Sequence, residues 1–304
     1  MHARKPAVTL LDVVVLFLIL AFFAYLAYRL FFSLNYNWNW DVIFTYLVRF
    51  DSETRAWTTN ILLDGFITTI KLSVWGTLLA IVIGVVVGLM RVSPRLFFRM
   101  VGRTYIEAIR NTPPLVLVFI FYYFISDQIL TALKVEELVR ASSGPTRQYL
   151  SFFLTKPVLI PQFLSGMLTL ALFQGAYIAE IVRAGIEAVD TGQWEAGKAI
   201  GLGRWQQMRF IILPQAAKIM LPPLANEFIN TIKWSSIVSI ISIQELTFQG
   251  MQVMASTQAT IEVWITISLM YLSVCLLLSV MVRKIEKHLR RTEQVMTTYQ
   301  QTGP

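Results

Sequence analysis

Six apolar stretches separated by polar connections divide the chain: 11–32, 62–90, 113–133, 160–182, 222–243 and 260–282. Each is close to or above the roughly 20 residues that an α-helix needs to cross a bilayer core. The pattern predicts an all-α polytopic membrane protein with six transmembrane helices. Stretch 62–90 is longer than an upright span requires, so it is expected to tilt or protrude. Its Gly84 and Gly88 stand in a G-x-x-x-G spacing, which predicts close approach of a second helix. The first stretch follows Arg4 and Lys5 and ends at Arg29-Leu30-Phe31-Phe32 without a small-residue cleavage site. It reads as a retained anchor rather than a signal peptide.

The polar connections set the orientation. Segments 1–10, 91–112, 183–221 and 283–304 carry 17 Lys and Arg residues, and the opposite set, 33–61, 134–159 and 244–259, carries 6. The positive-inside rule then places both termini and segment 183–221 in the cytoplasm. The Trp-rich run 35–41 falls outside, at the depth where aromatic side chains sit well among headgroups. Connection 134–159, with Lys134, Glu136, Glu137 and Arg140 before a Ser-Ser-Gly-Pro turn, reads as a solvated link or a surface for an external partner. The basic C-terminal segment from Arg283 reads as an orienting helix that leaves the membrane.

Composition agrees with a membrane protein. The chain of 304 residues is 56% hydrophobic and 14% charged, with a mean hydropathy of +0.60, against about 25% charged for soluble proteins. The net charge of +8 is then the orienting excess, and no nucleic-acid partner is implied. A single cysteine, Cys275, and two histidines, His2 and His288, leave no intrachain disulfide, no cysteine-based metal site and no histidine-based catalytic triad. No cofactor, no metal and no catalytic residue are expected. There is no low-complexity segment, and the six stretches do not divide into matching triplets, as the repeats of many secondary transporters do.

The cytoplasmic segment 195–214, EAGKAIGLGRWQQMRFIILP, lies within the longest polar connection, 183–221. Just before and into it, Gly192 to Ala199 nearly match the phosphate loop G-x-x-x-x-G-K-[ST]. Ala199 lacks the hydroxyl that would bind Mg²⁺, and no strand precedes it, so nucleotide binding is not supported. Residues 193–200 are predicted to make about two helical turns. Gly201 and Gly203 break them, and 204–220 resumes as an amphipathic segment interrupted at Pro214. Physically this is a helix–turn–helix flanked by Trp194 and Trp205, either lying on the membrane surface or docking to another protein.

Polar residues inside the apolar stretches are the other candidates. Asn226, Asn230 and Lys233 follow helical spacing along one stripe that continues to Gln244. A charge near mid-membrane costs about 2.5–3.5 kcal/mol even on insertion scales, so Lys233 must face water, the protein interior or a compensating group. It reads either as a wall of a translocation path or as a structural lysine held by helix-end carbonyls or a carboxylate. Glu180 and Arg183 are spaced to pair on one helix face, structurally or at a gate. Gln174 and Tyr177 lie deeper in the same helix and are further pathway candidates. Lys71, two turns into the second stretch, is long enough to snorkel outward.

The order E-A-x-x-x-x-G, nine residues, I-x-L-P is met by Glu195, Ala196, Gly201, Ile211, Leu213 and Pro214. It resembles the signature loop of permease subunits of binding-protein-dependent ABC importers. Further stretches, Asp64 to Ser73, Tyr105 to Pro114, Ala176 to Arg183 and Lys233-Trp234-Ser235-Ser236, are similar to the polar amino acid importers of the histidine, glutamine and arginine permease type. The resemblance covers roughly residues 60–290. It departs at Gly197, where the family often has alanine and a looser turn is expected, and at Trp234, where threonine is common.

The resemblance implies a five-helix permease domain at 58–290, an added helix and outer loop at 1–57, and a cytoplasmic tail at 291–304. It implies short coupling helices centred on Glu195, Ala196, Gly197, Gly201, Leu213 and Pro214, seated in separate ABC ATPase subunits. It also implies a periplasmic or extracellular solute-binding protein, a second permease subunit, and alternating access for a polar amino acid across the inner membrane. Ser235 and Ser236 join Gln174, Tyr177, Glu180, Asn226, Asn230 and Lys233 as pathway candidates. The alternative class is an ion-gradient-driven secondary transporter or channel for a small polar solute, which would need no ATPase. An intramembrane enzyme lacks the paired carboxylates or histidines it would need.

Overall fold

In a computed structural model of the chain, residues 9–29, 36–52 and 55–302 are described. His2, Arg4, Lys5, residues 30–32 at the end of the first apolar stretch, and Asn35 lie outside them. The chain divides into two compact units, Met1–Asp41 and Val42–Pro304.

The first unit carries helix α1 (Leu10–Tyr28). Thr9 and Asp12 form a capping box at its start, the Thr9 hydroxyl lying 2.8 Å from the Asp12 carboxylate. Two of the four N–H groups without intrahelical partners are thereby satisfied. Beyond it Tyr36, Trp38 and Trp40 line up, with ring centroids 5.1 and 5.8 Å apart.

The second unit opens with α2 (Asp41–Leu47) and a hairpin of β1 (Val48–Asp51) and β2 (Ala56–Thr59), paired antiparallel from Val48↔Thr59 to Asp51↔Ala56. This two-stranded ribbon is the one departure from an all-helical reading among the described residues. Asn60 then starts α3 (Ile61–Arg91): its side-chain oxygen accepts from the Ile61 N–H at 2.8 Å, and its amide donates to the Thr45 carbonyl at 2.7 Å. Ile43 is buried with Leu62, Leu246 and Val263. The residues from 42 onward therefore belong to the core of the second unit.

After α3 comes α4 (Leu96–Arg110), an amphipathic helix inside a segment that hydropathy marks only as a connection. Phe97, Met100 and Val101 are exposed, while Gly102, Ile106 and Ile109 are buried. A run from Pro114 to Ala132 follows as α5 (Pro114–Ile120), a π-helical turn (Phe121–Ser126) and α6 (Asp127–Ala132). Two short helices, α7 (Val135–Ala141) and α8 (Gly144–Phe153), lead through a 3₁₀ turn to α9 (Ile160–Glu187). The remaining helices are α10 (Thr191–Ala199), α11 (Arg204–Gln207), α12 (Leu213–Trp234), α13 (Leu246–Thr257) and α14 (Thr260–Thr302).

Among the described residues, four helices are long and apolar enough to cross a membrane: Ile61–Arg91, Pro114–Ala132, Pro157–Glu187 and Thr260–Lys284. The first apolar helix is shorter by this measure, Leu10–Leu26. The stretch expected at 222–243 is divided. Its α-helical part ends at Trp234, and a 3₁₀ segment (Ser235–Ile241) completes it. The cause is local. Ser235, Ser236 and Ser239 turn their hydroxyls back onto the carbonyls three residues earlier, each at 2.7 Å, local bonds that compete with the α-helical pattern. No break separates a tail at 291, because α14 continues to Thr302.

The scaffold rests on α3 lying parallel to α9. Gly76 faces Leu170, Gly84 faces Ile178 and Gly88 faces Val182, a constant offset along both helices. A Cβ at Gly84 would stand 2.4 Å from a methyl of Ile178, and one at Gly88 would stand 2.6 Å from the Cβ of Val182. The G-x-x-x-G spacing thus marks a real close approach, of the kind small residues permit in membranes. The pairing brings the starts of α3 and α9 to one end of the unit and their ends, which lead to α4 and α10, to the other.

Candidate functional site

The connection between α9 and α12 holds the first group of candidates. Asp190 caps α10 by accepting from the Gly192 N–H. The helix closes at Gly201, whose φ of +81° lies in the left-handed region that glycine reaches without steric cost. The Leu202 N–H donates to the Gly197 carbonyl and the Gly201 N–H to the Lys198 carbonyl, both at 3.0 Å. This is the Schellman arrangement, in which two helix-end carbonyls are satisfied by the residues just past the helix. The Gln206 side chain then accepts from the Gly203 N–H at 2.8 Å and starts α11.

The two arms of this hairpin pack tightly. Gly197 is buried, and a Cβ there would meet the side chains of Gln207 at 3.0 Å and Ile211 at 3.1 Å. The glycine therefore does not loosen the turn, as expected from sequence; it admits the second arm. Gln207 is buried and donates to the Leu202 carbonyl at 2.7 Å. The Arg204 guanidinium sits 5.9 Å from the Trp194 ring, within cation–π range. Val189, Ile212, Ala216 and Met220 join Ile178, Val182 and Ile186 in one buried cluster, so the hairpin is anchored to the end of α9.

Leu213 and Pro214 do not stop the second arm. A π-helical turn (Met208–Ile212) joins α11 to α12, and Pro214 stands in the first turn of α12, where its missing N–H costs least. The arm runs unbroken into the membrane-directed helix.

Against that rigid frame, the opposite surface is open. Glu195, Ala196, Lys198 and Gly201 are exposed, and Glu195 makes no hydrogen bond or ion pair among the described residues. Ile200, Trp205 and Phe210 are each 70% exposed or more. Large exposed apolar side chains together with an unpaired acidic group mark a surface for a membrane or for another protein.

The second group lies between α9 and α12. Gln174 is fully buried and donates to the Thr231 hydroxyl at 3.0 Å; Thr231 in turn donates to the Glu227 carbonyl at 3.0 Å. Asn230 donates to the Glu227 carboxylate at 3.2 Å. Gln174 and Asn230 are thereby brought into one polar cluster around Glu227, a buried carboxylate that sequence reasoning missed. The signal was available: Glu227 stands three residues before Asn230 in an otherwise apolar helix.

Other candidates lie apart. Asn226 and Lys233 are exposed on the face of α12 turned away from the chain's own core, and Lys233 takes no ion pair among the described residues. Glu180 pairs with Arg183, which also binds Glu187, near the end of α9. The Tyr177 ring lies tilted against Phe173, with centroids 5.3 Å apart, and 6.0 Å from the Arg110 guanidinium. Ser235 and Ser236 spend their hydroxyls on backbone carbonyls, and Trp234 sets its ring edge-on to Phe173 at 5.2 Å.

Residues 80–291 match the family of binding-protein-dependent transport system inner membrane components. The chain belongs to this family of ABC importer permeases. Among its relatives, it is 34% identical over 230 residues to the Probable glutamine ABC transporter permease protein GlnM of Bacillus subtilis (strain 168), covering 76% of this chain and 94% of that one. It is 32% identical over 230 residues to the glutamine transport system permease protein GlnP of Escherichia coli (strain K12), covering 76% and 93%. A crystal structure of an amino acid ABC transporter with histidines superposes with a TM-score of 0.60 at 33% identity, covering 75% of this chain and 94% of that one. Nearly the full length of each thus corresponds to about three quarters of this chain.

Proposed function

We propose that the chain is the permease subunit of an importer for a polar amino acid, driven through the 195–214 hairpin by a separate ABC ATPase. The observation that carries this reading is the hairpin's construction. One side is bolted to α9 and runs without a break into α12, and the other presents unpaired Glu195 beside exposed Ile200, Trp205 and Phe210. A displacement imposed on that surface is passed to α12 with little slack, because the Gly201 turn and the Gly197 contact leave no soft joint.

The relatives named for glutamine support the substrate class, as does the solved amino acid transporter. The exposed Asn226 and Lys233, with half-buried Asn230 between them, support a path completed by a second permease, either another copy or a sister chain. A mid-membrane charge facing away from its own chain needs water or a second subunit opposite it. A solute-binding protein delivers the amino acid at the outer end, and alternating access carries it inward through the plasma membrane, with both chain termini cytoplasmic.

The test is co-purification of the ATPase with the full chain, then ATP turnover and uptake in proteoliposomes. Glu195→Ala is expected to lower uptake per ATP hydrolysed while the chain stays in the membrane. Unchanged uptake in Glu195→Ala, or a chain that transports with no ATPase present, would sink the coupling assignment.

A further inference from the structure

At the end of the second unit opposite the coupling hairpin, about 36 Å along α3 at 1.5 Å per residue between Asp64 and Gly88, lies a cavity of about 380 Å³. Its wall includes Asp64 and Lys71 of α3, Lys156 before α9, and Gln244, Gln249 and Gln252 at and within α13. This volume is at the small end of ligand pockets, and the wall is unlike an apolar packing defect. It holds one carboxylate, two ammonium groups and three amides.

These groups are held in place but not used up. The Asp64 carboxylate accepts from the Thr59 hydroxyl at 2.6 Å, and its other oxygen is 3.4 Å from the Lys156 ammonium. That second contact is long for a charge-assisted bond. Lys71 donates to the Ser151 carbonyl at 3.2 Å, which uses one of its three donors. Gln249 is only 7% exposed, and its side-chain oxygen has no hydrogen-bond partner. Its amide nitrogen reaches Gln244 at a weak 3.5 Å. A buried amide oxygen left unpaired is costly, and rotation of the weakly held Gln249 amide toward the cavity would give it a partner there. Gly65 makes the placement possible, since a Cβ there would lie 2.8 Å from the Gln249 side chain.

On the importer reading, we propose that this cavity is an entrance site for a zwitterionic α-amino acid. The α-carboxylate binds between Lys71 and Lys156, and the α-ammonium displaces Lys156 from Asp64. A polar side chain lies along the glutamines, with one N–H of the ligand meeting the Gln249 oxygen once that amide has turned toward the cavity. The site is distinct from the polar cluster around Glu227 and from Lys233, which sit deeper along the chain. It would hold the solute after release and before the path opens.

The experiment uses the full chain with its ATPase in nanodiscs, without a binding protein, and radiolabelled L-glutamine, L-glutamate and L-arginine in equilibrium dialysis. Saturable binding of at least one is expected. Lys71→Gln and Asp64→Asn should each weaken it at least tenfold, while Lys134→Gln, the same loss of charge elsewhere in the outer segment, should change it less than twofold. Should those two variants fail to assemble, Gln252→Cys on a Cys275→Ala background offers a second readout. Its alkylation should be slowed by the amino acid that binds and not by its decarboxylated analogue. Absence of saturable binding for all three amino acids overturns the site. So does binding that is lost in Lys233→Ala but kept in Lys71→Gln and Asp64→Asn. ATPase co-purification and ATP turnover, read on the same samples, fail only if the importer reading itself is wrong.

Discussion

The backbone N–H of Leu202 donates to the carbonyl of Gly197 across 3.0 Å. That bond ties the end of α10 to the residue whose missing Cβ admits the second arm. The turn and the tight contact are therefore one device, and the stiffness of the hairpin depends on both glycines.

Gly201→Ala tests the turn. A residue with a Cβ held at φ +81° costs roughly 1–2 kcal/mol, and nothing lies within 4 Å of the added atom, so the penalty is conformational alone. The expected outcome is an assembled protein with reduced uptake per ATP hydrolysed. Gly201→Asn should be milder, since asparagine tolerates this region. Equal coupling ratios in Ala, Asn and parent would show that the turn is dispensable.

Gly88→Leu tests the α3–α9 seam. Even a Cβ would come within 2.6 Å of Val182 and 2.9 Å of the Ala179 carbonyl, and overpacking of this kind costs about 1–3 kcal/mol or more. The midpoint of thermal unfolding in detergent should fall clearly. Gly144→Ala, where an added atom meets nothing within 4 Å, serves as the control and should stay within about 0.5 kcal/mol of the parent.

Lys233 distinguishes a path residue from a structural one. It is exposed and takes no ion pair among the described residues, so Lys233→Ala should leave the complex assembled and lower its uptake by an order of magnitude. Lys233→Arg should retain part of the activity. Loss of assembly in Lys233→Ala, with rescue by Lys233→Met, would instead place the side chain in a structural contact.

Truncation tests where the core begins. Every buried hydrophobic cluster described lies at residue 42 or beyond. Removal of residues 1–40 should leave a stable membrane-inserted core that still binds its ATPase. Removal of 1–57 also takes away Ile43 and strand β1 and should lower the unfolding temperature measurably below that of the shorter deletion. Equal stability of the two would detach α2 and the hairpin from the core.

The apolar stretches, the G-x-x-x-G seam and the helix–turn–helix at 195–214 were legible along the chain because each is a local signal. Membrane spans are set by length and hydropathy, a close helix approach by missing side chains, and the Gly201 turn by a residue type with few other uses. Glu227 was less legible: Asn226, Asn230 and Lys233 mark a stripe that leaves out their neighbour, whose burial depends on Gln174 and Thr231 closing over it. Gly197 was read as a loosened turn because its environment, Gln207 and Ile211, arrives ten and fourteen residues later in the chain.

By itself the sequence determined the class of molecule and where its apolar stretches and polar connections fall. Hydrophobic length and charge bias act residue by residue, without regard to partners. Tertiary structure decided which polar residues act together. It drew Gln174 and Asn230 to Glu227, turned Lys233 outward, bound Ser235 and Ser236 to their own backbone, and set Asp64, Lys71 and Lys156 around one cavity with Gln249. Those groupings depend on how α3, α9, α12 and α13 are rotated against one another. That rotation is fixed by the shapes of side chains distant in sequence.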